Sequence, residues 1–115
     1  MATTLPRSTF GIDVEDDGVT VLVRPRGELD LATAPKLRAA IAAAMAFASV
    51  TLIVDMTGVT FVDSSGITEL LAAHALAHAA GRSFIVRRPG PSLKLLRLLG
   101  IEWLVDLEPV GSSPA

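Results

Sequence analysis

The chain contains no cysteine among its 115 residues. Disulfide scaffolds, cysteine-ligated zinc, iron–sulfur clusters and thiol nucleophiles are therefore excluded. It also lacks a basic excess: 10 Lys and Arg face 12 Asp and Glu, for a formal net charge of −2. A nucleic-acid binder advertises the opposite balance, so no nucleic-acid partner is expected. Charged residues make up only 19%, too few for a coiled coil, while 50% are apolar and mean hydropathy is +0.53. That composition is too hydrophobic for a disordered chain. No long membrane-type run is present either. The most apolar stretch, Leu37–Val54, is interrupted by Arg38 and Ser49 and turns from alanine-rich to β-branched halfway. It reads as helix then strand, so no membrane partner is expected. Met1–Phe10 is polar, holds Pro6 and Arg7, and has no apolar core of a signal peptide, which makes the cytosol the expected address.

What remains fits one domain, large enough to bury roughly two thirds of its unfolded surface without staples. Residues 1–9 read as a flexible leader, 10–108 as the domain, and 109–115 as a flexible tail. Phe10, Ile12 and Val14 alternate with polar residues, and Asp16-Asp17-Gly18 supplies a hairpin turn. Val19–Arg24 is the return strand, with Pro25 expected at its end or on an edge, since proline lacks the N–H of a ladder. Thr33 can cap a helix with Pro35 at its second position, and Leu37, Ala40, Ile41, Ala44 and Ala48 repeat at helical spacing. Val50–Val54 reads as a central strand covered on both faces. A second helix spans Ser65–Ala80 and stops at Gly81. Phe84–Val86 is a strand, Ser92–Leu99 a short helix stopped by Gly100, and Trp103–Leu107 a last strand. The expected order, ββαβαβαβ, specifies an α/β fold with a mixed sheet packed by helices.

The informative stretch is Val59-Thr60-Phe61-Val62-Asp63-Ser64-Ser65-Gly66-Ile67. Asp63 is a good N-cap, with Val62 and Ile67 placed as a hydrophobic staple. Ser64 is then the first helical residue, its hydroxyl pointing outward at unpaired backbone N–H groups and the positive end of the dipole. A phosphate there, carrying about −1.5 to −2 charge, would be tolerated by the fold and would act on whatever docks. By local physics alone the two serines are equally an ordinary helix start.

A wider pattern adds to this. Gly27-Glu28-Leu29-Asp30, Thr33-Ala34-Pro35, Asp63-Ser64-Ser65-Gly66, and Gly100-Ile101 after a leucine-rich helix occur in that order. Over about residues 10–108 the chain resembles the STAS domain family, and within it the stand-alone bacterial anti-sigma factor antagonists. The resemblance implies a STAS-like mixed sheet and a binding protein that is not an enzyme and needs no cofactor. It implies a serine-kinase anti-sigma factor as partner, released when the first Ser of the motif is phosphorylated, and a serine phosphatase that resets the switch. That serine falls on Ser64. Asp30, Thr33, Asp63, Ser65, Gly66 and Thr68 are the implied partner surface. Many relatives have Gly where this chain has Thr68, which stiffens the first turn and adds bulk beside the docking surface. Two other readings are a STAS scaffold that is never phosphorylated, and a small-ligand or nucleotide sensor.

Other constellations carry less. His74 and His78 share a helix face, but no third ligand completes a metal site, and packing at the core edge is the expected role. A Ser-His-Asp triad fails because His74 lies about 15 Å along the helix from Ser64 at 1.5 Å per residue. No Walker or dinucleotide fingerprint is present. Leu76 sits opposite Ile67 with Glu69, Ala72, Ala73 and Ala80 around it, a face that either accepts a partner helix or is ordinary solvated surface. Arg82, Arg87 and Arg88 bracket a strand and are expected to be solvated.

Overall fold

Asp16 and Asp17 fold the first hairpin through side chains. Asp16 Oδ1 accepts from Gly18 N, and Asp17 Oδ1 accepts from Val19 N and Thr20 N at 2.9 and 2.7 Å. Gly18 takes φ 91°, a conformation that other residues resist. The turn joins β1 (Gly11–Asp16) to β2 (Thr20–Leu29) in antiparallel register. The structure is a computed structural model, and it describes residues 10–105. The expected leader 1–9 and tail 109–115, with the end of the expected last strand, lie outside the described residues.

After β2 come α1 (Ala34–Ala44), β3 (Thr51–Asp55), β4 (Gly58–Val62), α2 (Ser64–Ala79), β5 (Ser83–Arg87), α3 (Ser92–Leu98) and a 3-10 turn, Glu102–Leu104. The sheet order is β1-β2-β3-β5, with β4 also paired to β2. The mixed α/β class is as expected; the element order differs in two places. Residues 58–62, read as a junction, form a strand of their own. At the other end, Trp103 and Leu104 lie in the 3-10 turn, and among the described residues of the expected last strand Val105 pairs, in a parallel bridge to Val86.

Pro25 is neither at a strand end nor on an edge; it is buried inside β2, opposite Ile12. The reason is that β2 shares one edge between two partners. It pairs in parallel with β3 through Thr20–Val23 and with β4 through Arg26–Leu29. Pro25 falls at the handover, where neither parallel partner requires a ladder bond. Between Gly27 and Glu28 the register to β4 shifts, and Gly27 absorbs the kink at φ 99°.

One sheet face carries the core. Val21, Val23, Leu52, Val54 and Val86 cluster with Leu37 and Ile41 of α1, Ile67 and Leu70 of α2, and Leu96 of α3. Each such aliphatic side chain contributes about 1.5–3 kcal/mol on full burial. α1 closes after Ala44 rather than running on, so Ala48 is exposed and outside the core. The described helices pack on this face, and β3 is buried on both faces, from Leu52 through Asp55. On the other face the register lines up a row of hydroxyls (Thr20, Thr51, Ser83), a row of aliphatics (Leu22, Ile53, Ile85) and a row of charges (Asp13, Arg24, Asp55, Arg87).

Asp55 is buried to 7% exposure at the end of β3. Burial pushes its carboxyl up, but hydrogen bonds from Thr57 Oγ1 and N and the charges of Arg88 and Arg24 outweigh it, leaving the pKa below 3.8. A carboxylate lowered on folding stabilises the native state above its unfolded pKa and loses that contribution as pH falls through the folded value. Thermal unfolding scans should therefore show stability declining as pH drops below about 4. Asp55→Asn should start lower at neutral pH and show a shallower decline. Asp17, lowered by backbone N–H groups, adds to the same window.

Candidate functional site

β2 and β4 end side by side, with Leu29 paired to Val62, so the loops that follow them emerge together. The ladder continues one step further through Asp63 N to Leu29 O at 3.2 Å. Asp30 and Asp63 thus begin two adjacent turns, each built by its own carboxylate.

Asp63 is the N-cap of α2, in extended conformation, and its Oδ1 accepts from Ser65 N at 2.8 Å and Gly66 N at 3.4 Å. Val62 and Ile67, the expected staple, are both buried. Ser64 is the first residue of the helix and is exposed. One expectation changes: the backbone donors beside Ser64 are not all open, because Asp63 already occupies two of them. A negative group on Ser64 would share the helix dipole with an existing carboxylate and stand out into solvent. Asp63→Ala should lower stability by about 1 kcal/mol, or about 5 °C in thermal midpoint, by freeing those N–H groups. A circular-dichroism melt checks it.

Asp30 plays the corresponding part before α1. Its Oδ1 accepts from Ala32 N, Thr33 N and Thr33 Oγ1 at 3.0, 3.1 and 3.2 Å. Thr33 is the N-cap residue but makes no side-chain cap bond; its hydroxyl donates to Glu28 O at 2.7 Å and accepts from Asp30 N. Both side chains build the turn. What the turn presents is Leu31, 77% exposed, which the sequence reading did not single out. An aliphatic residue flanked by turn-forming Asp and Thr was the available signal.

Gly66 faces inward. A Cβ there would lie 2.6 Å from Leu29 Cγ and 3.2 Å from Val62 Cγ1, so glycine lets α2 start directly against the ends of β2 and β4. Thr68 is exposed, its Oγ1 bonded to Ser64 O at 2.9 Å one turn back. Ser65 and Thr68 form one wall of a cleft of about 230 Å³; Leu31, Pro35 and Arg38 form the other, with Glu69 at its base. Glu69, placed by sequence on an exposed face, is buried to 6% because that face packs on α1. Its carboxylate receives Arg38 Nε and Nη2, the latter at 2.6 Å. That hydrogen bond, with the carboxylate's charge, raises the Arg38 pKa further. The guanidinium side chain remains 66% exposed. A smaller apolar notch of about 90 Å³, also touching Arg38 and Glu69, is lined by Ala72, Ala73 and Leu76. The structure therefore brings Ser65, Thr68 and Leu31 to one cleft, with Ser64 exposed at the helix start one residue before it.

A family model described as Mlab, STAS domain matches residues 12–106. The chain belongs to the STAS domain family. This STAS domain is 35% identical over 91 residues to an anti-sigma F factor antagonist of Lysinibacillus sphaericus, covering 76% of this chain and 77% of that protein. An anti-sigma factor antagonist from Mycobacterium paratuberculosis has a similar structure, with TM-score 0.72 and 27% identity over 85% of this chain and 84% of that one. The anti-sigma factor antagonist SpoIIAA matches in its unphosphorylated form, with TM-score 0.71 and 28% identity over 83% and 85% of the two chains. Its phosphorylated form, from Bacillus, matches with TM-score 0.67 and 28% identity over 83% and 88%.

The His74 ring packs edge-on against Trp103 at 4.8 Å and Phe84 at 6.2 Å, and stacks on His78 at 5.9 Å. Among the described residues, no three His, Cys, Asp or Glu are grouped to hold a metal ion. No helix among them is long and apolar enough to cross a membrane. Arg88 lies 3.7 Å from Asp55.

Proposed function

We propose that this chain is an anti-sigma factor antagonist whose binding of an anti-sigma factor, itself a serine kinase, is switched off by phosphorylation of Ser64. The observation that carries the reading is the exposed Ser64 hydroxyl at the start of α2, beside a cap that Asp63 completes alone. The fold has no need of the hydroxyl, so a phosphate alters the surface without dismantling the helix. The surface it alters is furnished for a partner: Leu31 and the Ser65–Thr68 wall flank a cleft with an exposed cation, Arg38. Phosphorylation places about two negative charges at the rim of that surface, next to Asp63, and removes the interface by repulsion and desolvation cost. A serine phosphatase restores it. Similarity to relatives named as anti-sigma factor antagonists, one of them also solved in a phosphorylated form, supports the reading.

The test is capture from host cytosol with three baits: wild type, Ser64→Ala and Ser64→Asp. Wild type and Ser64→Ala should retain an ATP-binding kinase that Ser64→Asp loses. Equal retention by all three removes Ser64 as the switch and leaves a scaffold role. Trp103 fluorescence verifies that each bait is folded.

A further inference from the structure

We propose that the channel between α1 and α2 seats a helix of the anti-sigma factor that presents an acidic side chain between two aliphatic ones. This rests on the function proposed above and names the chemistry of the element that docks. The cleft of about 230 Å³ and the notch of about 90 Å³ share Arg38 and Glu69, so they form one channel along the helix pair. Both of its walls are exposed. Thr68, Ala72 and Leu76 repeat every four residues along α2, and Pro35, Arg38 and Ala42 stand across from them on α1. Leu31 and Leu76, both exposed, mark its two ends.

Length and charge select the occupant. From the Ser65–Thr68 wall to the Ala72–Leu76 wall is about 11 Å at the 1.5 Å rise of a helix, or roughly two turns. A helix laid along the channel fills both hollows with aliphatic residues at i and i+7. Its residue at i+3 or i+4 then falls over Arg38. Arg38 gives Nε–H and one Nη2–H to Glu69, whose carboxylate is buried and occupied by that contact. The outer edge of the guanidinium, Nη1 and the second Nη2 hydrogen, has no acceptor among the described residues. The pair therefore turns its positive end to the channel, as donors without acceptors held in one orientation by Glu69. A carboxylate fits that edge as a second bidentate partner, and a Lys or Arg side chain does not.

An acidic occupant also fits the proposed switch. Ser64 begins α2 one residue before the cleft wall. Along the helix axis it lies about 7–8 Å from Glu69 at 1.5 Å per residue, comparable to the ~8 Å screening length of physiological salt. A phosphate on Ser64 repels an acidic helix, whereas it would draw a basic one in.

Calorimetric titration of the full chain with the purified kinase retained by the Ser64→Ala bait decides it. Leu76→Asp should weaken binding by about 10-fold or more, since it sets a charge in the apolar end of the channel. Arg38→Gln with Glu69→Gln keeps the two side chains hydrogen-bonded but removes the cation, and should cost about 10-fold. Arg38→Glu, made together with Glu69→Gln so that no buried carboxylate is left unpaired, should cost about 100-fold. Reversing one acidic residue of the kinase to Arg should restore most of that loss. Thermal melts verify the fold of each variant. If Leu76→Asp and the paired Gln variant bind as wild type while Ser64→Asp does not, the channel is overturned and the switch stands. Loss at the channel with normal binding by Ser64→Asp supports the channel and overturns the switch. A chain that binds no kinase overturns both. If no acidic residue of the kinase restores binding on reversal, the acidic helix is overturned. A dimer of the chain, seen by sedimentation equilibrium and dissociated by Leu76→Asp, assigns the channel to a second copy and overturns the proposal equally.

Discussion

Ser64→Asp should weaken binding of the partner retained by wild type by about 100-fold while leaving the thermal midpoint nearly unchanged. The two halves of this expectation have separate causes. A negative side chain in the first turn of a helix interacts favourably with the dipole, which offsets its proximity to Asp63. The fold therefore does not suffer. A docked partner desolvates the rim of the Leu31–Thr68 cleft, and an unmatched charge buried there costs several kcal/mol, with about 3 kcal/mol giving two orders of magnitude. Ser64→Ala removes only a hydroxyl and should bind within a few-fold of wild type. Calorimetric titration of each variant with the purified partner measures this. Binding by Ser64→Asp within a few-fold of wild type would remove the electrostatic basis of the switch.

Gly66→Ala should lower the thermal midpoint by about 5–15 °C, corresponding to about 1–3 kcal/mol. In an open helix the same change would add about 1 kcal/mol of stability through helix propensity. Here the new methyl would sit 2.6 and 2.8 Å from Leu29 Cγ and Cδ2, and Leu29 is fully buried. The core is close-packed, so Leu29 can yield only by straining its neighbours. Because the clash is with one side chain, Leu29→Ala should relieve it, and the double variant should lose less than the sum of the two singles. Thermal melts of the three variants test the coupling. An unchanged or raised midpoint for Gly66→Ala would show that α2 does not need glycine to start where it does. The motif's glycine is thus explained by packing, independently of any partner.

The parts of the site that were legible in sequence are those made by neighbours along the chain. Asp63 capping the second helix, Ser64 as its first residue, and the Asp16-Asp17-Gly18 turn all depend on hydrogen bonds spanning two or three residues. Thr33 shows the limit. Its position as helix cap was legible, but its hydroxyl bonds back to Glu28 O and to the Asp30 turn, an arrangement that helix-capping statistics do not distinguish. Residues 58–62 escaped notice as a strand because their apolar positions read equally well as a junction leading into a helix. The partner that makes them a strand, Arg26–Leu29, lies about thirty residues earlier. Pro25 misled for the same reason: proline argues for an edge only until a strand is seen to change partners beside it.

The residues themselves determined the mixed α/β class, the cap at Asp63 and the exposure of Ser64, because turn chemistry and apolar periodicity act over a few residues and need no knowledge of the rest of the chain. The tertiary structure alone decided that Glu69 is buried under Arg38, that Leu31 stands out across a cleft from Ser65 and Thr68, and that Gly66 is forced by Leu29. It also decided that Asp13, Arg24, Asp55 and Arg87 fall in one row. Each of these joins side chains from different elements, and burial and strand register are set by how the elements pack rather than by the local sequence of any one of them.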